Sequence, residues 1–220
     1  METVRNLGIL DLDAVRSVHM ADIPYRWGLI QHAFRNLELA HTLEVEFPTT
    51  GFILTHRPSG IAGQKGYHTH NLSLVAAGNS VAESLRHLTP LWRQMLTELR
   101  SAAYRQAVST LIGRSLERSR LEIRAIRYGP GSWLDPHTDR ADKAVTQTWY
   151  FNTRWCASWQ GALRILRSRN DTDVVADIVP SLGQSVVLIP SEHSWHSVPR
   201  VSNDAPEDRR TLLAHFLEPA

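Results

Sequence analysis

Beyond residue 118 the chain passes through six short apolar or β-branched runs, at 121–128, 145–151, 162–166, 174–179, 185–189 and 211–217. Turn residues lie between them, and no helical stretch parts them. Strands spaced this closely fold as a sandwich or a barrel-like roll. Before residue 118 the periodicity is helical. Residues 35–47 carry Leu37, Leu39, Ala40, Leu43 and Phe47, and Pro48 ends the pattern. Pro90 sits at a first helical position for residues 91–99, whose Leu91, Met95 and Leu99 share a face, and Tyr104, Val108, Leu111 and Ile112 predict another helix closed by Gly113. The expected class is α+β: helices in residues 1–118 supporting a β-core over residues 119–218, within one domain of 220 residues. Residues 58–78, rich in Gly, Ser and His, read as a long loop and a candidate lid. The His68-Thr-His70 pair within it suggests a metal site, although solvated loop histidines give the same composition.

No run approaches the eighteen apolar residues of a membrane span, and the start Met-Glu-Thr-Val-Arg lacks the pattern of a secretory signal, so a cytoplasmic location is expected. Cys156 is the only cysteine, which excludes a disulfide framework and a Cys-based zinc site within one chain. A metal would rest on His, Asp or Glu, and there are 11 histidines. Of the 24 basic residues only Lys65 and Lys143 are lysines, a skew that fits GC-rich coding. The arginines are spread along the chain and net charge is only +2, which argues against a nucleic-acid partner.

Three motifs carry chemistry. His137-Thr138-Asp139 follows the Gly129-Pro130-Gly131 turn, and in an extended segment residues two apart point to the same side, so imidazole and carboxylate can meet one cation. With 11 His and 11 Asp in 220 residues, chance alone supplies about half of one such triplet, so the motif needs company. His196, in Ser194-Trp195-His196-Ser197-Val198, is the candidate third ligand, with His193 close by. Two histidines and one carboxylate form the facial triad that leaves three positions open on Fe(II). Arg209-Arg210-Thr211 opens the last apolar run. An arginine projecting into a β-roll needs a carboxylate partner, which a dicarboxylate co-substrate would provide. Strand side chains alternate, so at most one of Arg209 and Arg210 serves.

The order His-x-Asp, a Trp-Tyr-Phe-Asn run, Gly-Ala-Leu-Arg-Ile-Leu, a Pro-x-x-Gly turn, His-x-Val and finally Arg-x-Thr resembles the Fe(II)/2-oxoglutarate-dependent oxygenases, in particular their prolyl-hydroxylase-like branch, over residues 119–218. The helical first half is similar in general pattern to small bacterial members of natural-product pathways. The resemblance implies a double-stranded β-helix, or jelly-roll, core. It implies His137, Asp139 and His196 as the Fe(II) ligands, and Arg209 as the anchor of 2-oxoglutarate with Thr211 on the same strand face. Tyr150 matches the tyrosine that helps bind the distal carboxylate, and Tyr128 one that lines the co-substrate pocket. The competing register puts Arg210 inward with Leu212, Ala214 and Phe216. The linker 197–208 is longer than in the prolyl hydroxylases, and the turn after Tyr128 is one residue shorter.

The implied reaction hydroxylates a C–H bond of a small substrate, free or bound to a carrier protein, as 2-oxoglutarate and O2 become succinate and CO2. Halogenating relatives replace the carboxylate ligand with a small residue, so Asp139 points to hydroxylation. Two other readings stand beside it: a metal-binding regulatory module of the same fold without turnover, and a zinc-dependent hydrolase using His2Asp and a metal-bound water. Trp133 and Trp149 are candidate pocket walls, and Arg124, Arg127, Arg140 and His68 candidate substrate anchors.

Overall fold

A computed structural model describes residues 8–219; the stretch Met1 to Arg5, on which the expected lack of a secretory signal rests, lies outside them. The described residues hold four α-helices, α1 (Leu12–Ser17), α2 (Leu37–Val45), α3 (Pro90–Leu99) and α4 (Ala102–Ile112). Their ends follow local chemistry. The Asn36, Thr89 and Ser101 side chains accept from the backbone N–H of Glu38, Trp92 and Tyr104 to cap α2, α3 and α4, Pro90 opens α3, and Gly113 at φ +75° ends α4. Among the described residues no helix is long and apolar enough to cross a membrane.

The strands are β1 (Trp27–Ile30), β2 (Ile53–Arg57), β3 (Tyr67–Ala76), β4 (Asn79–Ser80), β5 (Arg120–Tyr128), β6 (Trp133–His137), β7 (Lys143–Tyr150), β8 (Leu163–Leu166), β9 (Val174–Ile178), β10 (Ser185–Leu188), β11 (His196–Val198) and β12 (Arg209–Leu217). They form one antiparallel sheet in the order β1-β10-β7-β12-β5-β3-β6-β11-β8-β9, with β2 and β4 also paired to β3. The sheet curls on itself. Tyr128 and Tyr150 of β5 and β7 pack in one cluster with Leu163, Ile165 and Val198 from the far end of the order. This is the expected jelly-roll.

A second, larger core lies between the roll and the helices. Trp92, Met95 and Leu99 of α3 and Tyr104, Val108 and Leu111 of α4 bury Trp149 of β7 and Leu212, Ala214 and Phe216 of β12. These residues supply the α3 and α4 faces read from the sequence, and their burial rather than helix propensity holds the helices in place.

Two expectations are corrected. Residue 118 is no boundary in the fold, because β1 to β4 from the first half join the same sheet. Residues 58–78 are not one loop: β3, ten residues long, is the strand that links β5 to β6 where the sheet curls. Its Tyr67, Thr69 and Asn71 face a polar cavity, so the strand lacks the apolar alternation that marks a half-buried strand. Residues 58–66 remain as loop, and 77–78 form the turn from β3 to β4.

Candidate metal centre

β6 ends at His137 and β11 begins at His196, and the two are register partners in an antiparallel pair, which puts both rings on one side with centroids 4.2 Å apart. Asp139 follows two residues after His137. One ligand atom from each of the three residues lies within 4.8 Å of the others, so the set fits a single ion. The imidazoles are prepared in the same way. Nδ1 of His137 lies 3.0 Å from the Asp135 carbonyl and Nδ1 of His196 2.8 Å from that of Ser194, so each Nδ1–H donates to the carbonyl two residues back and Nε2 keeps its lone pair for a metal. Burial, together with the neighbouring cations, holds both imidazoles below the usual histidine range, His137 the further of the two. Both are therefore neutral, as metal ligands must be. His193 is exposed and stands outside the group.

Asp139 is held by groups that the sequence reading did not single out. Lys143 Nζ donates to its Oδ1 at 2.6 Å and Thr146 Oγ1 to its Oδ2 at 2.7 Å. Lys143 also lies 3.3 Å from His215 Nε2, and His215 Nδ1 lies 2.8 Å from Thr146 Oγ1. An ammonium only donates, so Nε2 of His215 accepts and its Nδ1–H donates to the threonine, whose own proton goes to Asp139. One consistent ring of donors results. His215 is kept well below the ordinary histidine range, by burial and then by Lys143. Burial pushes the Asp139 carboxyl up, but the Lys143 ammonium beside it pulls the other way, and the carboxyl is held well below its usual range.

A cavity of about 770 Å³ opens over this centre. Arg209, Tyr128 and Thr211 line it, and Tyr150 packs beside Arg209. Arg209 is the register partner of Tyr128, and Thr211 that of Tyr150, so all four share a face. Arg209 is 2% exposed, its guanidinium 4.8 Å from the Tyr128 ring centroid and 5.2 Å from that of Tyr150. Its Nε and the Tyr150 hydroxyl are buried without a hydrogen-bond partner among the described residues. Burial pushes the Tyr150 hydroxyl up to about 12, so it stays a donor, and Tyr128 moves the same way. Asn152 sets this register: its side chain donates to the Asp208 carbonyl at 2.9 Å and accepts from Arg210 N–H at 2.8 Å, clamping the start of β12. Arg210 turns outward to Glu207 and Glu44. The inward set predicted for the competing register, Leu212, Ala214 and Phe216, is buried, but against the helices rather than in the roll.

Of the other candidates, Arg124 and Arg140 line the cavity. Arg127 instead pairs with Asp208 at 2.5 Å, and His68 stacks on Trp133 outside the cavity, beside His56 and His70. The His68 and His70 pair forms no three-residue metal group among the described residues. Trp149 is wholly buried against Tyr104, and neither it nor Trp133, the two candidate pocket walls, lines the cavity.

Residues 123–218 match the model of the 2OG-Fe(II) oxygenase superfamily. No curated protein matches. Among solved structures the fold is similar to a prolyl-4-hydroxylase of Pseudomonas putida, at 19% identity and TM-score 0.60 over 95% of this chain and 97% of that one. It is also similar to HygX of Streptomyces hygroscopicus, solved with nickel and 2-oxoglutarate, at 12% identity and TM-score 0.55 over 87% and 82%. A third is SnoN, a non-heme alpha ketoglutarate dependent epimerase of nogalamycin biosynthesis, at 12% identity and TM-score 0.55 over 87% and 77%. The match begins within β5 and ends just after β12, and so takes in every residue of the metal group and of the set around Arg209: residues 123–218 belong to the 2OG-Fe(II) oxygenase superfamily.

Proposed function

We propose that the chain is an Fe(II)- and 2-oxoglutarate-dependent dioxygenase that hydroxylates an unactivated C–H bond of a small substrate: an amino acid, an amino-acid derivative or a natural-product intermediate, free or carried on a protein. One observation carries the reading. A single cavity joins a buried His2Asp group to a buried arginine that has no carboxylate partner among the described residues. The first asks for a divalent metal with open positions, the second for a carboxylate on the metal's co-ligand.

His137, Asp139 and His196 would hold Fe(II), and Arg209 with the Tyr150 hydroxyl would receive the distal carboxylate of 2-oxoglutarate, flanked by Tyr128 and Thr211. Bound iron supplies oxidation of the substrate by O2, coupled to decarboxylation of 2-oxoglutarate. The chain's own part is preparation. The two backbone carbonyls fix the imidazole tautomers, and Lys143 and Thr146 fix the carboxylate while leaving each oxygen a further lone pair. Leu163, Leu188 and Val198 line the cavity with apolar surface that excludes water from the reacting centre.

The test is succinate formation with a substrate panel, together with product mass. Succinate that requires Fe(II), O2 and 2-oxoglutarate together, with a product heavier by one oxygen atom, supports the reading. Activity that survives removal of oxygen points to the hydrolase instead, iron binding without any turnover of 2-oxoglutarate to the regulatory module, and turnover with no gain of oxygen rejects hydroxylation.

A further inference from the structure

The charges around the cavity are far from balanced. The chain as a whole carries 24 Lys and Arg against 22 Asp and Glu. The cavity is lined by Arg57, Lys65, Arg124, Arg140, Lys143, Arg169 and Arg209, and by one carboxylate, Asp139. Some of these cations are already answered. Lys143 pairs with Asp139, Arg140 with Asp142 at 2.8 Å and Arg124 with Glu122 at 3.5 Å. Arg209 sits between the tyrosines. A divalent metal and the 2-oxoglutarate dianion have equal and opposite charge, so loading the site leaves the surplus where it was. Arg57, Lys65 and Arg169 remain, none of them within ion-pair distance of a carboxylate among the described residues.

These three come from separate segments, β2, the 58–66 loop and the turn between β8 and β9, and they converge on one cavity. Arg57 is steadied over the Tyr67 ring, 5.2 Å from its centroid. Like charges gathered around a concave, half-buried space raise the free energy of the empty protein and focus a positive potential into the opening. Lys65 registers that crowding: burial first and Lys143 next lower its ammonium to about 8, Asp139 opposes them, and Arg124 and Arg57 add smaller downward pulls.

We propose that the substrate is an anion whose carboxylate or phosphate is received within the cavity by Lys65, Arg57 and Arg169. This deepens, and rests on, the reading of the cavity as a metal and 2-oxoglutarate site. Guanidinium forks and an ammonium suit either oxyanion, and they line the same cavity as His137, Asp139 and His196, so an anion held by them keeps the remainder of the molecule beside the metal group.

The test uses the full chain loaded with nickel and 2-oxoglutarate, titrated calorimetrically with phenyl phosphate, benzoate and the neutral benzyl alcohol. The proposal expects one or both anions to bind at least about tenfold more tightly than the alcohol. It expects that preference to shrink as salt rises from about 0.05 to about 0.5 M. It also expects the preference to vanish in the Arg57→Ala, Lys65→Ala, Arg169→Ala triple variant while 2-oxoglutarate binding is kept. The two anion arms separate phosphate from carboxylate recognition. All three side chains are partly or fully exposed, so the variant keeps the fold, which its thermal unfolding checks; the three single variants carry the same comparison if it does not. Equal binding of the alcohol, or an unchanged preference in the variants, overturns the proposal. Failure of the wild-type chain to bind nickel and 2-oxoglutarate overturns the underlying reading, and the proposal with it.

Discussion

Replacing Arg209 by Met, with Arg210→Met as its control, separates the two neighbours by direction as well as by size. Arg209 is 2% exposed, its Nε has no partner, and aromatic rings flank its charge at about 5 Å. A carboxylate brought to about 4 Å from it, at an effective dielectric of about 20, gains about 4 kcal/mol before desolvation is counted. Truncating one member of such a buried pair costs about 2–5 kcal/mol. Taking about 3 kcal/mol, Arg209→Met weakens 2-oxoglutarate about 150-fold. The fold responds in the opposite sense. Without a co-substrate the wild-type chain carries a buried charge that is incompletely hydrogen-bonded, so the Met variant unfolds at the same temperature or a few degrees higher. Arg210, 22% exposed, turns away from the cavity and shares its charge with Glu207 and Glu44, so its loss lowers stability and leaves 2-oxoglutarate affinity unchanged. Calorimetric titration of the nickel-loaded proteins and thermal unfolding with and without 2-oxoglutarate give both quantities. An Arg209→Met protein that binds 2-oxoglutarate within about threefold of wild type, or an Arg210→Met protein that loses it, refutes the reasoning.

Asp139→Ala leaves Lys143, only 11% exposed, without its anion, and is expected to destabilise the metal-free fold by about 3 kcal/mol in urea; adding Lys143→Met should recover most of that loss, and a double variant no more stable than Asp139→Ala would show that the buried pair is not the cause. His137, His196 and His215 all have folded pKa values below the unfolded value of 6.5, so the stability they contribute is complete above about pH 6.5 and is lost as pH falls below it. Each one that is protonated only in the unfolded chain adds a slope of about 1.4 kcal/mol per pH unit, and a urea midpoint of the metal-free protein that does not fall between about pH 7.5 and 5.5 would contradict this. Tyr104→Phe removes the hydroxyl that donates to Gln147 Oε1 at 2.8 Å deep between helix and sheet, and should cost about 1–2 kcal/mol in urea while 2-oxoglutarate affinity is untouched.

The sequence showed the β-roll through spacing, because strands without helices between them have few ways to bury a face. It showed α3 and α4 through Pro90, Gly113 and one apolar stripe each. The choice between Arg209 and Arg210 was open for a physical reason. β12 is covered on both sides, by the helices through Leu212, Ala214 and Phe216 and by the roll through Leu213, so its apolar residues do not alternate and the pattern has no outward face to read. The deciding contact, Asn152 gripping the backbone at Asp208 and Arg210, joins residues 56 and 58 apart in sequence and leaves no local trace. β3 was lost for the converse reason: a strand that lines a polar cavity carries polar residues where a core strand would carry apolar ones.

The abundance of arginine looked like coding background, and for most of the 22 it is a fair account. The exceptions were the signal. A chain that writes nearly all of its cations as arginine keeps lysine at two positions, and both line the metal cavity. Lys143 shows what a guanidinium would do less well there. Its compact ammonium reaches Asp139 Oδ1 and His215 Nε2 at once from a space with only 11% exposure, whereas a planar fork would take the carboxylate in a bidentate grip and compete with the metal for both oxygens. Composition read as an average therefore hides the site, while the residues that break the average lie in it.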